Sequence, residues 1–336
     1  MACLPLLPEL DAKPRLIGIA KLAADGELLR EGHEVEYFSL PVRSLLNRCT
    51  SERVPFVWTI NPYRGCEFAC KYCYARYTHE FMEMRDGIAF EQKIFVKDHA
   101  ANLLRQELRQ VKSGEDIAIG TATDPYQPAE RRYGITRGVL EELARHEGLE
   151  LGLITKSNLI LRDLELLRAI SRKNRLHVNL TITTLNIKLA RLLEPRAPRP
   201  DLRLEAVRQL SVAGIHTGIS CSPVIPAITD TPRNLEALVR AAAEAGARSI
   251  FANPLFLKPC SSAVFMPFLE KEFPALAKNY RERYKDRAFL PKAYGQRISQ
   301  LVEKFRQKYG LRHHADRYRN EAAPPEPPSE NQLELF

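Results

Sequence analysis

The 336-residue chain reads as an α/β protein built on a parallel sheet. Two observations predict this. Short apolar runs rich in β-branched residues recur along the chain, and helix-like runs separate them, several of the strand-like runs ending in turns of Thr, Asp, Ser and Pro. Strands separated by helices pair through crossover connections, which implies β-α-β units and a parallel sheet. Composition does not decide between an open doubly wound sheet and a partial barrel.

The elements follow in order. Residues 1–50 read as a poorly periodic, proline-containing N-terminal arm, and the α/β unit is expected over 51–260. Phe56–Ile60 is the first strand. Asp98–Val111 is a helix with Leu103, Leu104, Leu108 and Val111 on one face and Asp98 as N-cap. Asp116–Gly120 is the second strand, closed by Thr123 and Asp124, and a helix follows near Gly138–His146. Leu151–Ile154 is the third strand, running into Lys156 and Ser157, before a helix over Leu161–Ile170. Leu176–Thr184 is the fourth, carrying Thr181 and Thr183, followed by a helix over Leu202–Val212. Ile215–Cys221 is the fifth, the Ala-rich run Leu235–Ala245 a helix stopped at Gly246, and Ser249–Ala252 the sixth strand. In such folds functional residues gather where strands end.

Residues 261–319 read as a basic helical extension covering one side of that mouth. Lys271–Arg319 holds 14 Lys/Arg against 5 Asp/Glu, an excess equal to the +9 net charge of the whole chain. Such segregation suits a polyanion, with DNA the first candidate, although a solvated helix pair would also carry it. Residues 320–336, with Pro324, Pro325, Pro327 and Pro328, form an expected disordered tail. No run approaches the ~20 apolar residues of a membrane span. The N-terminus lacks the pattern of a signal peptide, and seven cysteines without a regular framework suit a reducing, cytoplasmic setting.

Chemistry concentrates in Cys66, Cys70 and Cys73, spaced C-x3-C-x2-C. A structural zinc wants four ligands, so three thiolates fit poorly unless His79 or Cys49 completes the set. A [4Fe-4S] cluster held at three irons would keep its fourth iron open for a small molecule.

This spacing resembles that of the radical S-adenosylmethionine (radical SAM) enzymes. The stretches Asn61–Cys66, Thr123–Pro128 and Leu193–Ala197 are similar to the branch related to spore photoproduct lyase and DNA-repair photolyase-like proteins, over roughly Tyr37–Tyr318. The resemblance implies a partial (β/α)6 TIM-type barrel with the cysteine loop after the first strand. It implies a [4Fe-4S] cluster on Cys66, Cys70 and Cys73. It also implies S-adenosyl-L-methionine (SAM) held near Tyr72, Thr123, Asp124, Lys156, Ser157, Thr181 and Thr183, with Pro223–Pro226 against the adenine. An electron donor such as flavodoxin or ferredoxin would be needed. The lyase returns hydrogen from a cysteine at the end of its second strand, where this chain has Thr121. Cys221 or Tyr126 could serve instead, although Cys221 also suits a small core residue.

The terminal Gln332-Leu333-Glu334-Leu335-Phe336 resembles the motif that docks repair proteins onto the replication sliding clamp, Leu333, Leu335 and Phe336 filling an apolar groove and Gln332 bonding at its edge. The expected function is radical SAM chemistry on DNA. The alternatives are RNA, a peptide or a metabolite as substrate, or a non-catalytic Fe–S or zinc module at DNA.

Overall fold

The computed structural model describes residues 16–32, 34–50 and 54–311. Among the described residues eleven strands form two sheets: β1 (Leu28–Gly32), β2 (Val35–Ser39), β3 (Leu46–Arg48), β4 (Trp58–Ile60), β5 (Tyr63–Arg64), β6 (Lys93–Val96), β7 (Asp116–Ile119), β8 (Glu150–Thr155), β9 (Arg175–Thr181), β10 (His216–Val224) and β11 (Ser249–Pro254). In the larger sheet the order is β11-β10-β9-β8-β7-β4-β3. From β4 to β11 every neighbour is parallel, and β3 closes the first edge antiparallel to β4. These six parallel strands are the six expected, in chain order, and helices link them. This is the partial (β/α)6 barrel.

The register explains the core. Ile119 faces Leu153, Leu153 faces Val178, and Leu180 faces Ile219, each of them fully buried. Central strands covered on both faces lose the alternation of a half-exposed strand, and β9 is buried at all but its first residue. The helices Pro200–Val212 and Pro232–Glu244 begin with proline at their first turn, and Thr231 caps the second by accepting the Asn234 amide at 3.2 Å.

Several expectations are corrected. The helix after β6 runs Ala100–Glu107 with left-handed His99, not Asp98, at its N-cap; Asp98 instead accepts the Ser39 hydroxyl. β7 stops at Ile119, so Thr123 and Asp124 lie in the loop beyond it, and β10 continues past Cys221 to Val224. The arm expected over 1–50 contains, from Gly18 onward, a helix (Gly18–Ala24) and three strands. β1 and β2 form a hairpin whose second strand pairs with β6, and β6 pairs with β5, giving the second sheet β1-β2-β6-β5. Val35, Tyr63, Ile94 and Val96 make its small apolar cluster. Its short strands, one of two residues and bulged elsewhere, leave too little periodicity to read.

Among the described residues the C-terminal extension is three helices: Pro259–Glu272, Pro274–Tyr284 and Lys292–Tyr309. The first two lie at the strand ends, where Tyr280 donates to the Pro226 carbonyl at 2.6 Å and Tyr284 to the Leu255 carbonyl at 3.0 Å. The third instead packs Ile298, Val302 and Phe305 into the main core. Residues 312–319 and the tail lie outside the described residues, as do Gln332, Leu333, Leu335 and Phe336.

Candidate functional site

All six parallel strands end on one edge, and the cysteine loop begins there, just after β5. Gly65 turns the chain into it at φ +83°. A Cβ at Gly65 would stand 2.7 Å from the Lys93 carbonyl oxygen and 2.9 Å from that of Phe90, so only glycine fits. The Cys66 amide then donates to the Phe90 carbonyl at 2.9 Å. Ala69, between the first two cysteines, is left-handed at φ 55°, a conformation uncommon for a residue with a side chain.

Cys66, Cys70 and Cys73 are free thiols, the first two buried and the third half-buried. They stand close enough that Cys70 and Cys73 both act on Cys66. Burial, with Asp124 next, pushes the Cys66 thiol well above its ordinary range, and burial pushes Cys70 up to about 12 against the pull of Lys156.

Segments distant in sequence clamp this loop. The Lys71 amide donates to the Leu193 carbonyl at 2.9 Å and the Arg196 amide to the Phe68 carbonyl at 3.3 Å. Between them Glu194 turns inward, accepts the Tyr72 hydroxyl, and pairs with Arg203 at 2.5 Å, both side chains about 1% exposed. Arg203 also donates to the carbonyls of Pro198 at 2.7 Å and Thr181 at 2.9 Å. Burial works against the charge on Glu194, yet Arg203 and Lys156 hold its carboxyl below the usual range. On the other flank buried Arg76 donates to the Cys70 carbonyl at 3.0 Å and pairs with Glu91 at 2.6 Å. Ser261, from the extension, donates to the Cys73 carbonyl at 2.9 Å. Gln127 takes the Glu67 amide at 3.1 Å and gives its own to the Gly65 carbonyl at 3.1 Å.

The residues expected around SAM divide into two sets. Tyr72, Lys156 and Thr183 meet at the loop: the Lys156 ammonium lies 5.7 Å from the Tyr72 ring centre, and the Thr183 hydroxyl is 3.4 Å from Glu194. Thr123, Asp124 and Ser157 are spent on local architecture. Thr123 donates to the Gly65 carbonyl at 2.6 Å, and Asp124 accepts the Thr155 hydroxyl at 2.6 Å and the Lys156 amide at 2.7 Å. Ser157 caps the turn that follows by accepting the Leu159 amide at 3.2 Å. Thr181 is buried, its carbonyl taken by Arg203. Tyr126 and Cys221 are buried in the main core. Burial, with the charge of Glu194 next, pushes the Cys221 thiol up to about 12. Sequence reasoning assigns no role to Glu194, Arg203, Arg76 or Gln127; Glu194 and Gln127 do lie in the stretches Leu193–Ala197 and Thr123–Pro128 that carry the family resemblance, whereas Arg203 and Arg76 have no such signal.

The donor set suits an iron–sulfur cluster better than a single ion. Among the described residues no three His, Cys, Asp or Glu side chains converge closely enough to hold one metal ion. His79 is committed elsewhere, bonded to the Lys93 carbonyl at 3.0 Å with its ring packed on Phe90 and Phe95. A cubane takes its thiolates at separate corners, and thiolate is the ligand such clusters use. Three cysteines on one constrained loop, with a buried ion pair behind and an ammonium beside them, can hold such a cluster and a charged small molecule.

Comparison with known proteins agrees with this geometry. The chain matches the radical SAM superfamily family model over residues 60–247. An uncharacterised protein of Mycobacterium tuberculosis is 34% identical over 278 residues, 81% of this chain and 82% of that one. One from Methanocaldococcus jannaschii is 30% identical over 220 residues, 65% and 76% of the two chains. Among solved structures, spore photoproduct lyase complexed with dinucleoside spore photoproduct has a TM-score of 0.62 at 15% identity, covering 81% of this chain and 79% of that one. Streptococcus suis SuiB bound to precursor peptide SuiA has a TM-score of 0.51 at 16% identity, covering 76% and 47%. At such identities these two show a shared fold. The chain belongs to the radical SAM superfamily, whose members use a [4Fe-4S] cluster and SAM.

Proposed function

We propose that this chain cleaves SAM reductively and acts on DNA, as a lesion-repair or base-modifying enzyme. The observation that carries the DNA reading is where the positive charge lies. The helices Pro259–Glu272 and Pro274–Tyr284 sit at the cysteine loop and strand ends, and Arg281, Arg283, Lys285 and Arg287 are exposed on and just after them. Spore photoproduct lyase, which shares the fold, binds a dinucleoside photoproduct, and we extend a nucleic-acid substrate to this chain.

Cys66, Cys70 and Cys73 would hold the cluster. Lys156, with the hydroxyls of Tyr72 and Thr183 nearby, would orient SAM, while Thr123, Asp124, Ser157 and Thr181 shape the loops around it. Bound together, the cluster and SAM supply a 5′-deoxyadenosyl radical once an electron arrives from a flavodoxin- or ferredoxin-class donor. Cys221 and Tyr126 are the candidates for returning a hydrogen atom. Burial and Glu194 push the Cys221 thiol up to about 12, so it keeps its hydrogen at neutral pH. We place the protein in the cytoplasm; no helix among the described residues is long and apolar enough to cross a membrane. Gln332, Leu333, Leu335 and Phe336 would dock the enzyme onto the sliding clamp and raise its concentration at DNA.

Anaerobic reconstitution with SAM and a panel of damaged oligonucleotides tests the reading. Release of 5′-deoxyadenosine that rises with one DNA substrate, and altered DNA products, are expected. DNA binding should weaken with salt, and neutralising Arg281, Arg283 and Lys285 should reduce the slope of log affinity against log salt by about one per lost phosphate contact. Turnover with a peptide or metabolite and none with DNA would sink it.

A further inference from the structure

The cysteine loop is held from two flanks by different parts of the chain. At Cys73 the partner is the C-terminal extension, through Ser261. At the other flank it is the helix Ile187–Leu193 and the segment that follows it. The Lys71 amide, in the residue next to Cys70, donates to the Leu193 carbonyl at 2.9 Å, and the Phe68 carbonyl accepts the Arg196 amide at 3.3 Å. Leu189 and Leu193 pack into the apolar cluster that includes Cys66 and Cys70. The helix therefore lies directly on the loop, with Lys188, Arg191 and Leu192 turned to solvent.

This outer side is positive. Lys188, Arg191, Arg196 and Arg199 are exposed, and Glu194, the one acid over residues 182–200, is buried. Arg196 meets Glu34 at 3.4 Å and Arg199 meets Asp201 at 2.6 Å, both at the surface. Among the described residues no carboxylate pairs with Lys188 or Arg191; Arg191 donates instead to the Pro195 carbonyl at 2.6 Å. Three residues apart on one helix, these two share a face. Arg191 and Arg199 line one shallow cleft with Ile187 and Pro198, and Ile187 is 45% exposed. An apolar spot edged by cations suits a partner with an acidic rim. From this surface to Cys70 the chain offers a short bonded route, the hydrogen bond between Leu193 and Lys71 and then the Lys71 backbone.

We propose that this helix face, Lys188 and Arg191 with Arg196 and Arg199 around Ile187, docks a small acidic flavoprotein of the flavodoxin class that delivers the electron for SAM cleavage. The proposal rests on the SAM-cleaving reading above and adds where the electron enters. The anionic flavin hydroquinone gives up one electron and becomes the neutral semiquinone. That electron reduces the cluster by one unit, and no proton moves. Encounters between electron carriers are small, weak and steered by charge, which fits a few cations around an apolar spot better than a phosphate track would. DNA is assigned to the extension at the Cys73 flank, so the two partners meet different faces.

The full chain, purified anaerobically with its cluster, is titrated against fluorescently labelled flavodoxin and followed by anisotropy. Release of 5′-deoxyadenosine is then measured with reduced flavodoxin or with dithionite as electron source. Binding that weakens as salt rises is expected. Lys188→Glu combined with Arg191→Glu should weaken it roughly tenfold and slow flavodoxin-driven cleavage. Dithionite-driven cleavage, affinity for a duplex oligonucleotide and the unfolding midpoint should stay unchanged. Lys188→Glu alone should weaken flavodoxin binding by a smaller factor. If the double variant binds flavodoxin as the unchanged chain does, or loses duplex affinity instead, the docking face is overturned and SAM cleavage stands. Equal loss with flavodoxin and dithionite also overturns it, since the helix would then only support the loop. An unchanged chain that cleaves no SAM with dithionite overturns the SAM reading, and the docking face with it.

Discussion

Two buried regions of this molecule are built on opposite principles. The main core, from Ile60 through Leu153 and Val178 to Ile219, is mostly aliphatic and lies between the larger sheet and its helices. The cluster around Cys66, Phe68, Cys70 and Tyr72 draws Leu193, Ile225, Leu255, Phe265 and Tyr280 from five other segments. It is laced with charge: Glu194 with Arg203, and Arg76 with Glu91. Apolar contact is non-directional and tolerates small shifts. A buried ion pair recovers its desolvation cost only in one good geometry, so it adds little stability but penalises displacement. The core makes the fold; the second region fixes three thiols.

That contrast can be broken at graded cost. Cys70→Ala has the largest effect: bound iron and 5′-deoxyadenosine formation should fall to background, while far-ultraviolet circular dichroism shows the barrel intact. Retained SAM cleavage would remove Cys70 from the ligand set. Glu194→Ala leaves Arg203 charged in the interior and should cost about 3–5 kcal/mol in denaturant unfolding; Glu194→Gln, which can still accept from Tyr72, should cost less. A loss under about 1 kcal/mol for the alanine variant would mean that solvent reaches the pair.

Acid should loosen the same region. Burial lowers His79 from 6.5 to about 4 in the folded chain. Between those values the unfolded chain binds the extra proton, so stability is full above pH 6.5 and declines as pH falls toward 4, by about 3 kcal/mol in all. Stability measured against pH, with and without His79→Gln, isolates this share; identical slopes would mean His79 protonates freely when folded. The smallest change belongs to the barrel proper. Thr231→Ala removes the cap of the helix Pro232–Glu244 and should cost about 1 kcal/mol with iron loading unchanged.

The barrel was legible because each strand and helix declares itself within a dozen residues. Residues 18–48 were not, since β1 and β2 are short and their sheet is completed by β6, some sixty residues on. Among site residues, the cysteines announce themselves by spacing. Lys156 could be named from its place after a strand. Asp124 could be named but not given its task, because a carboxylate in a loop past a strand looks the same whether it accepts a neighbouring hydroxyl and amide or meets a ligand. Cys221 reads from the sequence as a small core residue or a candidate hydrogen donor, and it is buried in the core.

By itself the sequence determined the parallel α/β order, the thiol-bearing loop and the basic extension, since periodicity, spacing and charge are properties of neighbouring residues. Tertiary structure alone decided that Glu194 and Arg203 stand behind Tyr72, that Ser261 reaches Cys73, and that Phe256 meets Phe289. These partners lie 9 to 188 residues apart along the chain, beyond the reach of any local pattern, and for the buried Glu194–Arg203 pair low polarity makes a charge too costly to leave unmatched.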